Sequence, residues 1–220
     1  MILSPCPEIL LATRNPGKIS EIQEALSILP IKLRSLNEFP NVSSIDEVGR
    51  TYEENAVIKA LGYSRQTGIY SLADDSGLEV DALGGMPGVF SARFGGDHAS
   101  DPERINKLLA ALSQPSNKKR TARFICCMAL VGWQREQGMV NRGDPRLLKV
   151  TEGRCEGVIA HASRGTNGFG FDPVFVPAGY DATFAELPSE VKATISHRAL
   201  ALLEMRAFLE RELDRWSGRS

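Results

Sequence analysis

Between Glu8 and Ala73 short apolar runs and helical patterns take turns, and beyond residue 120 long strand-like runs follow one another directly; few folds accommodate both habits. EILLAT, Glu8 to Thr13, is a continuous apolar run of the kind a buried strand requires. Asn15-Pro16-Gly17 then breaks it before KISEIQEALSIL places Ile19, Ile22, Leu26 and Leu29 on one helical face. Ile31 to Leu36 alternates as a second strand, Asn37 to Arg50 is a polar loop, and Thr51 to Thr67 is helical behind a Thr51-Tyr52-Glu53-Glu54 capping pattern. Ile69 to Ala73 is the third strand.

After the glycine-rich stretch Gly84 to Gly96, a helix starts at Asp101 or Pro102 and runs to Leu112. RFICCMALVGW, Arg123 to Trp133, reads as a long strand, and LLKVTEGRCEGVIA, Leu147 to Ala160, as its pairing partner across the turn-rich Gln134 to Pro145. An amphipathic helix from about Ser196 to Trp216 closes the chain, with Leu200, Leu203, Leu209 and Leu213 as expected core contacts. The fold class is therefore α/β, a mixed sheet with flanking helices, elongated into two lobes.

Charge limits the partners. Lys and Arg number 26 against 27 Asp and Glu, so no overall field recruits nucleic acid, and a polyanion must be met by a local cluster of cations. No apolar run reaches the ~20 residues of a membrane span. The N-terminal MILSPCPEILLATRN lacks the basic start of a secretion signal, which points to the cytoplasm. The four cysteines show no CxxC spacing, so packing is expected of them and zinc is not.

Five places concentrate chemistry. TRNPGK, Thr13 to Lys18, lies where a strand becomes a helix; free amides and the helix dipole attract anions there, and Thr13, Asn15 and Lys18 add donors, although the same residues also suit an ordinary turn. Asp74-Asp75-Ser76-Gly77 follows the third strand, where carboxylates at a strand exit can take a hard cation such as Mg2+ or simply form an Asx turn. Upstream, Asp46 and Glu47 form a second acidic pair, and Glu47 has no helix to serve. In SRGTNGFGFDPVF, Ser163 to Phe175, glycines permit close backbone approach and Phe169 and Phe171 offer rings for a flat base or for the core. Lys192 and Ser196-His197-Arg198 supply the last cations, beside the final helix.

Taken in order, TRNPGK, EENAVIKA, LADDSGLEVDALGGMPGVFSARFGG, GTNGFGFDPVF and SHRALAL resemble the inosine triphosphate pyrophosphatase family, the dITP/XTP pyrophosphatases, from about Leu10 to Leu203. The resemblance implies a single domain whose two lobes enclose a nucleotide-binding cleft. It also implies a homodimer, and an Mg2+-dependent hydrolase that splits ITP, dITP and XTP into monophosphate and pyrophosphate. By position it makes Thr13, Arg14, Asn15, Pro16, Gly17 and Lys18 the triphosphate cradle, Asp75 the proton acceptor and a metal ligand, Glu47 the other metal ligand and Ser76 a substrate contact. Phe169, Gly170, Phe171 and Asp172 become the base-holding segment, Lys192, His197 and Arg198 contacts to the purine edge and phosphates, and Lys59 a phosphate contact. The chain departs from many relatives at Arg14, where they carry glycine, and at Phe171, where they carry tyrosine or tryptophan.

Overall fold

Ile9, Leu10 and Leu11 are almost wholly withdrawn from solvent, so the first strand, β1 (Glu8–Leu11), is covered on both faces and lies inside the sheet. It pairs in parallel with β2 (Lys32–Ser35) on one side and with β3 (Tyr70–Val80) on the other. Parallel neighbours need long crossovers, and the two helical segments supply them: α1 (Pro16–Leu26) and α2 (Tyr52–Thr67). The computed structural model describes residues 7–96, 98–113, 119–133, 135–136, 139–140 and 143–216.

Local chemistry sets the helix ends. The Asn15 side chain accepts the Lys18 amide and Pro16 opens α1, whose buried face carries Ile22 and Leu26. At α2 the Thr51 hydroxyl accepts the Glu54 amide as expected, while the Glu54 carboxylate reaches back to the amide of Arg50, at 2.6 Å. Gly68, with φ at 69°, ends the helix in the left-handed region that favours glycine.

The remaining elements are α3 (Asp101–Ala111), β4 (Thr121–Gly132), a separate antiparallel ladder of β5 (Arg135–Glu136) and β6 (Met139–Val140), β7 (Arg146–Ile159), β8 (Phe175–Pro177), α4 (Ser189–Ile195) and α5 (His197–Trp216). Six strands form one sheet in the order β2-β1-β3-β4-β7-β8, and β7 and β8 are antiparallel, so the sheet is mixed. The long strands β4 and β7 are neighbours, as their sequences suggest.

The chain divides into two compact units. One comprises the described residues up to Asp75, Cys127–Glu152 and those from Ala201 on; the other is Ser76–Cys126 with Gly153–Leu200. In the first, Ala56 and Ala60 of α2 pack with Leu10, Ala73 and Val131. In the second, Leu78, Val80 and Leu108 surround an aromatic cluster in which Phe175 lies 4.6 Å from Phe124 and 5.3 Å from Phe184, centroid to centroid. Burying each such leucine contributes about 1.5–3 kcal/mol.

Two expectations need correction. Asp74 and Asp75 do not follow the third strand but sit in its middle, because β3 continues to Val80 and stays buried except at the half-buried Ser76 and Glu79. In the last helix, Leu200 and Leu203 are exposed, at 36% and 56%, and the buried stripe is Ala201, Leu202, Met205 and Leu209. Leu213 is half-buried. A short helix, α4, precedes α5 where none was expected. Cys126, Cys127 and Cys155 are buried thiols; burial pushes the Cys127 thiol up to about 12, with Glu152 adding to it, and that of Cys155 to about 11, so both stay protonated packing residues. Cys6 and most of Gln134 to Leu147 lie outside the described side chains. Among the described residues no helix is long and apolar enough to cross a membrane.

Candidate functional site

Successive strand residues face opposite sides of a sheet, so the adjacent carboxylates of β3 take different ion-pair partners. Asp74, 1% exposed, pairs with Lys18 of α1 at 3.0 Å; Asp75, 5% exposed, faces α2. Like-charge repulsion inside the sheet is relieved by giving each its own helix.

The α2 side holds the denser cluster. The Lys59 ammonium donates to the Asp74 carbonyl oxygen at 2.6 Å and lies 3.0 Å from Glu47 Oε1 and 3.6 Å from Asp75 Oδ1. Asn55 Nδ2 donates to the other Asp75 oxygen at 3.1 Å. Glu47 is thus drawn out of its polar loop onto the same cation as Asp75, while Asp46 stays exposed. Burial pushes the Asp75 carboxyl above the usual carboxylate range, with Glu47 adding to it and Lys59 opposing. Burial alone would lower the Lys59 pKa, but Asp75, Asp74 and Glu47 together hold it above its ordinary value.

Sequence reading placed Lys59 among phosphate contacts and gave Asn55 no role. Their signal was present: Asn55 and Lys59 stand four residues apart, on one helical face with the buried alanines Ala56 and Ala60 beside them. A buried polar pair at that spacing demands partners.

The Thr13–Lys18 turn is built by its own side chains. Thr13 Oγ1 accepts the Asn15 amide at 3.2 Å and Asn15 Oδ1 the Lys18 amide at 3.1 Å, while Arg14, Asn15 and Pro16 are exposed and Gly17 half-buried. The turn reaches the carboxylates of β3 through Lys18, by its pair with Asp74.

In the second unit, Arg198, 1% exposed, donates from Nη2 to Ser76 Oγ at 2.9 Å. Lys192 pairs with Asp172 Oδ2 at 2.6 Å, and the same oxygen accepts the Phe169 amide at 2.9 Å. The Lys192 ammonium stands 4.7 Å and the Arg198 guanidinium 5.7 Å from the centroid of the Phe169 ring. His197 stacks on Phe124 at 4.6 Å with ring planes 11° apart. Gly170 donates its amide to Asp101 Oδ2 at 2.7 Å. Phe171 is committed to the core, 4% exposed, so the half-buried Phe169 is the ring of the pair that lies among the cations. Lys192 serves Asp172 and Phe169 in this unit, and the phosphate-type cations Lys18 and Lys59 belong to the other.

Removing one partner of a buried pair leaves the other charged and desolvated, so Lys192→Met is expected to destabilise the protein by about 3–5 kcal/mol. Neutralising the other partner as well, in Asp172→Asn/Lys192→Met, should recover part of that loss in a urea melt. Additive losses in the double variant would show that the pair is not coupled.

The chain is similar to known proteins over most of its length. The sequence model of the Ham1 family matches residues 9–208. The chain is 41% identical over 209 residues to a dITP/XTP pyrophosphatase of Bacillus anthracis, covering 95% of this chain and 97% of that relative. It is 45% identical over 202 residues to a dITP/XTP pyrophosphatase of Coxiella burnetii, covering 92% and 96%. Among solved structures, a HAM1 protein from Coxiella burnetii matches with a TM-score of 0.81 at 44% identity, over 93% of this chain and 99% of that one. The Ham1 protein of Staphylococcus aureus gives 0.78 at 37% identity, over 93% and 99%.

Proposed function

The chain belongs to the Ham1 family, and from that membership we infer that it is a nucleoside triphosphate pyrophosphatase, hydrolysing non-standard purine nucleoside triphosphates such as ITP, dITP and XTP to the monophosphate and pyrophosphate. The observation that carries the reading to particular residues is the convergence of Glu47 and Asp75 on one buried cation, Lys59. We read the whole chain as one catalytic domain acting on free nucleotides as a cytoplasmic homodimer.

Glu47 and Asp75 suit a small hard cation: they are oxygen donors that already share one positive charge. These two carboxylates would hold Mg2+, which when bound supplies charge neutralisation at the phosphate oxygens.

The chain's own residues do the rest. Asp75 accepts the proton of a water whose oxygen attacks the α-phosphorus; the bond from that phosphorus to the bridging oxygen breaks, and pyrophosphate leaves with its electron pair. Lys59 and Lys18 offset the charge gathering on phosphate oxygens. In the second unit Phe169 offers a stacking face, and Arg198 and His197 supply donors for the exocyclic carbonyl that distinguishes inosine and xanthine from adenine.

Incubation with ITP, XTP, ATP and GTP plus Mg2+, followed by product identification, tests this. Pyrophosphate and monophosphate are expected, with ITP and XTP preferred over ATP by roughly 10²-fold or more, since a site built for a hydrogen bond rejects a base that leaves it unmade. Orthophosphate with a covalent aspartyl intermediate would instead make Asp74 and Asp75 an attacking pair. Arg198→Gln should lower the preference for ITP over ATP about 10- to 100-fold. An unchanged preference in a folded variant removes Arg198 from base selection.

A further inference from the structure

Resting on the assignment of Glu47 and Asp75 to one metal ion, we propose that Asn55 is a positioning residue that ties the Glu47 loop to Asp75 and thereby sets the spacing of the two carboxylates.

Asn55 is 1% exposed, and both ends of its carboxamide are used. Nδ2 donates to Asp75 Oδ2 at 3.1 Å, and Oδ1 accepts the backbone amide of Gly49 at 2.8 Å. A carboxylate can only accept and an amide N–H can only donate, so the two bonds allow one orientation of the Asn55 side chain. The bond to Oδ2 in turn leaves Asp75 Oδ1 as the oxygen paired with Lys59, at 3.6 Å.

Gly49 stands two residues after Glu47, and its lack of a side chain is what lets the loop close on the helix. A Cβ there would lie 2.7 Å from Asn55 Oδ1 and 2.7 Å from Glu54 Cβ. Glu54 adds a second tether by accepting the Arg50 amide at 2.6 Å. A polar loop whose other residues from Ser43 to Arg50 are largely exposed is therefore pinned within three residues of Glu47, by consecutive residues of α2. Carboxylates meant for one ion must keep their separation to within about half an ångström, and groups that orient such ligands typically cost about 10- to 100-fold in affinity or rate when removed.

The test measures Mn2+ binding to metal-free protein by electron paramagnetic resonance, alongside ITP kinetics and melting, for wild type, Asn55→Ala, Gly49→Ala and the double variant. Asn55→Ala should weaken Mn2+ binding and lower kcat by about 10- to 100-fold, with KM for ITP within about threefold. Gly49→Ala should move both quantities in the same direction. Because each breaks the same link, the double variant should be no worse than Asn55→Ala. A merely structural role would lower the melting temperature while Mn2+ affinity and kcat of the folded variants stayed at wild type, and that result overturns the proposal. Should Asn55→Ala not fold, wild-type Mn2+ affinity and kcat in Gly49→Ala overturn it equally. Wild-type protein that neither binds Mn2+ nor turns over ITP would overturn the functional reading itself; wild type that does both beside unaffected variants overturns only the role of Asn55.

Discussion

Asp75→Asn should lower kcat for ITP by about 10³-fold or more, since proton acceptance alone is worth about 10²- to 10⁴-fold and loss of a metal-binding carboxylate adds to it. The substitution keeps the shape of the side chain and an oxygen able to accept from Asn55, so packing in the middle of β3 survives. Stability offers the control, with a definite sign. Burial raises the folded-state pKa of Asp75 above its ordinary value of 3.8. A carboxyl shifted upward favours folding while protonated, and that contribution is lost as pH rises from the unfolded value through the folded one. The asparagine has no proton to lose, so the metal-free variant should lack this part of the pH slope. Pyrophosphate release gives the rate, and melting curves from acid to neutral pH give the control. Turnover within about tenfold of wild type would end the role of Asp75 as proton acceptor.

What could be read in the sequence was what neighbouring residues decide among themselves. The Thr51 cap, the Asn15-Pro16 helix start and the apolar runs of β1 and β4 follow from local pattern, and with them the alternation that makes an α/β sheet. The position of Asp74 and Asp75 inside β3 did not, because two charges look like the end of a buried strand until Lys18, on another helix, and Lys59, fifteen residues upstream, arrive to neutralise them. Asp172 and Lys192 pose the same difficulty, since each has a counterion twenty residues away. The last helix failed for a different reason. Leucine is apolar on any face, and which leucines are buried was settled by Ala201, Leu202, Met205 and Leu209 packing inward, which left Leu203 outside. The candidate site was therefore legible as a set of residue types in order along the chain, while its pairings, above all Glu47 with Lys59 and Asn55 with Asp75, required the fold.

Lys59→Met should reduce kcat/KM for ITP about 10²- to 10³-fold at neutral pH, the scale of losing a preorganised charge in a water-poor site. The ammonium is buried, 7% exposed, against Asp75, Glu47 and the Asp74 carbonyl, so methionine fills the volume but leaves two carboxylates facing each other without their shared cation. Lys59 leads the groups that oppose the upward shift of Asp75, ahead of Lys18 and the Asn55 hydrogen bond, while Glu47 promotes it. Its removal pushes the Asp75 carboxyl higher still, so fewer molecules carry an ionised base at a given pH, and the acidic limb of the kcat/KM profile should move to higher pH. The stability effect has the opposite origin. The folded-state pKa of Lys59 lies above its ordinary 10.5, so its contribution is fully present below that value and is lost only as pH rises through the folded one. The variant therefore loses stability across the neutral range. A divalent cation added between Glu47 and Asp75 would restore the missing charge, so Mg2+ should raise the melting temperature of Lys59→Met by more than it raises that of wild type. A pH profile superimposable on wild type, with equal Mg2+ stabilisation, would mean that Lys59 is a structural cation unconnected to the ionisation of Asp75.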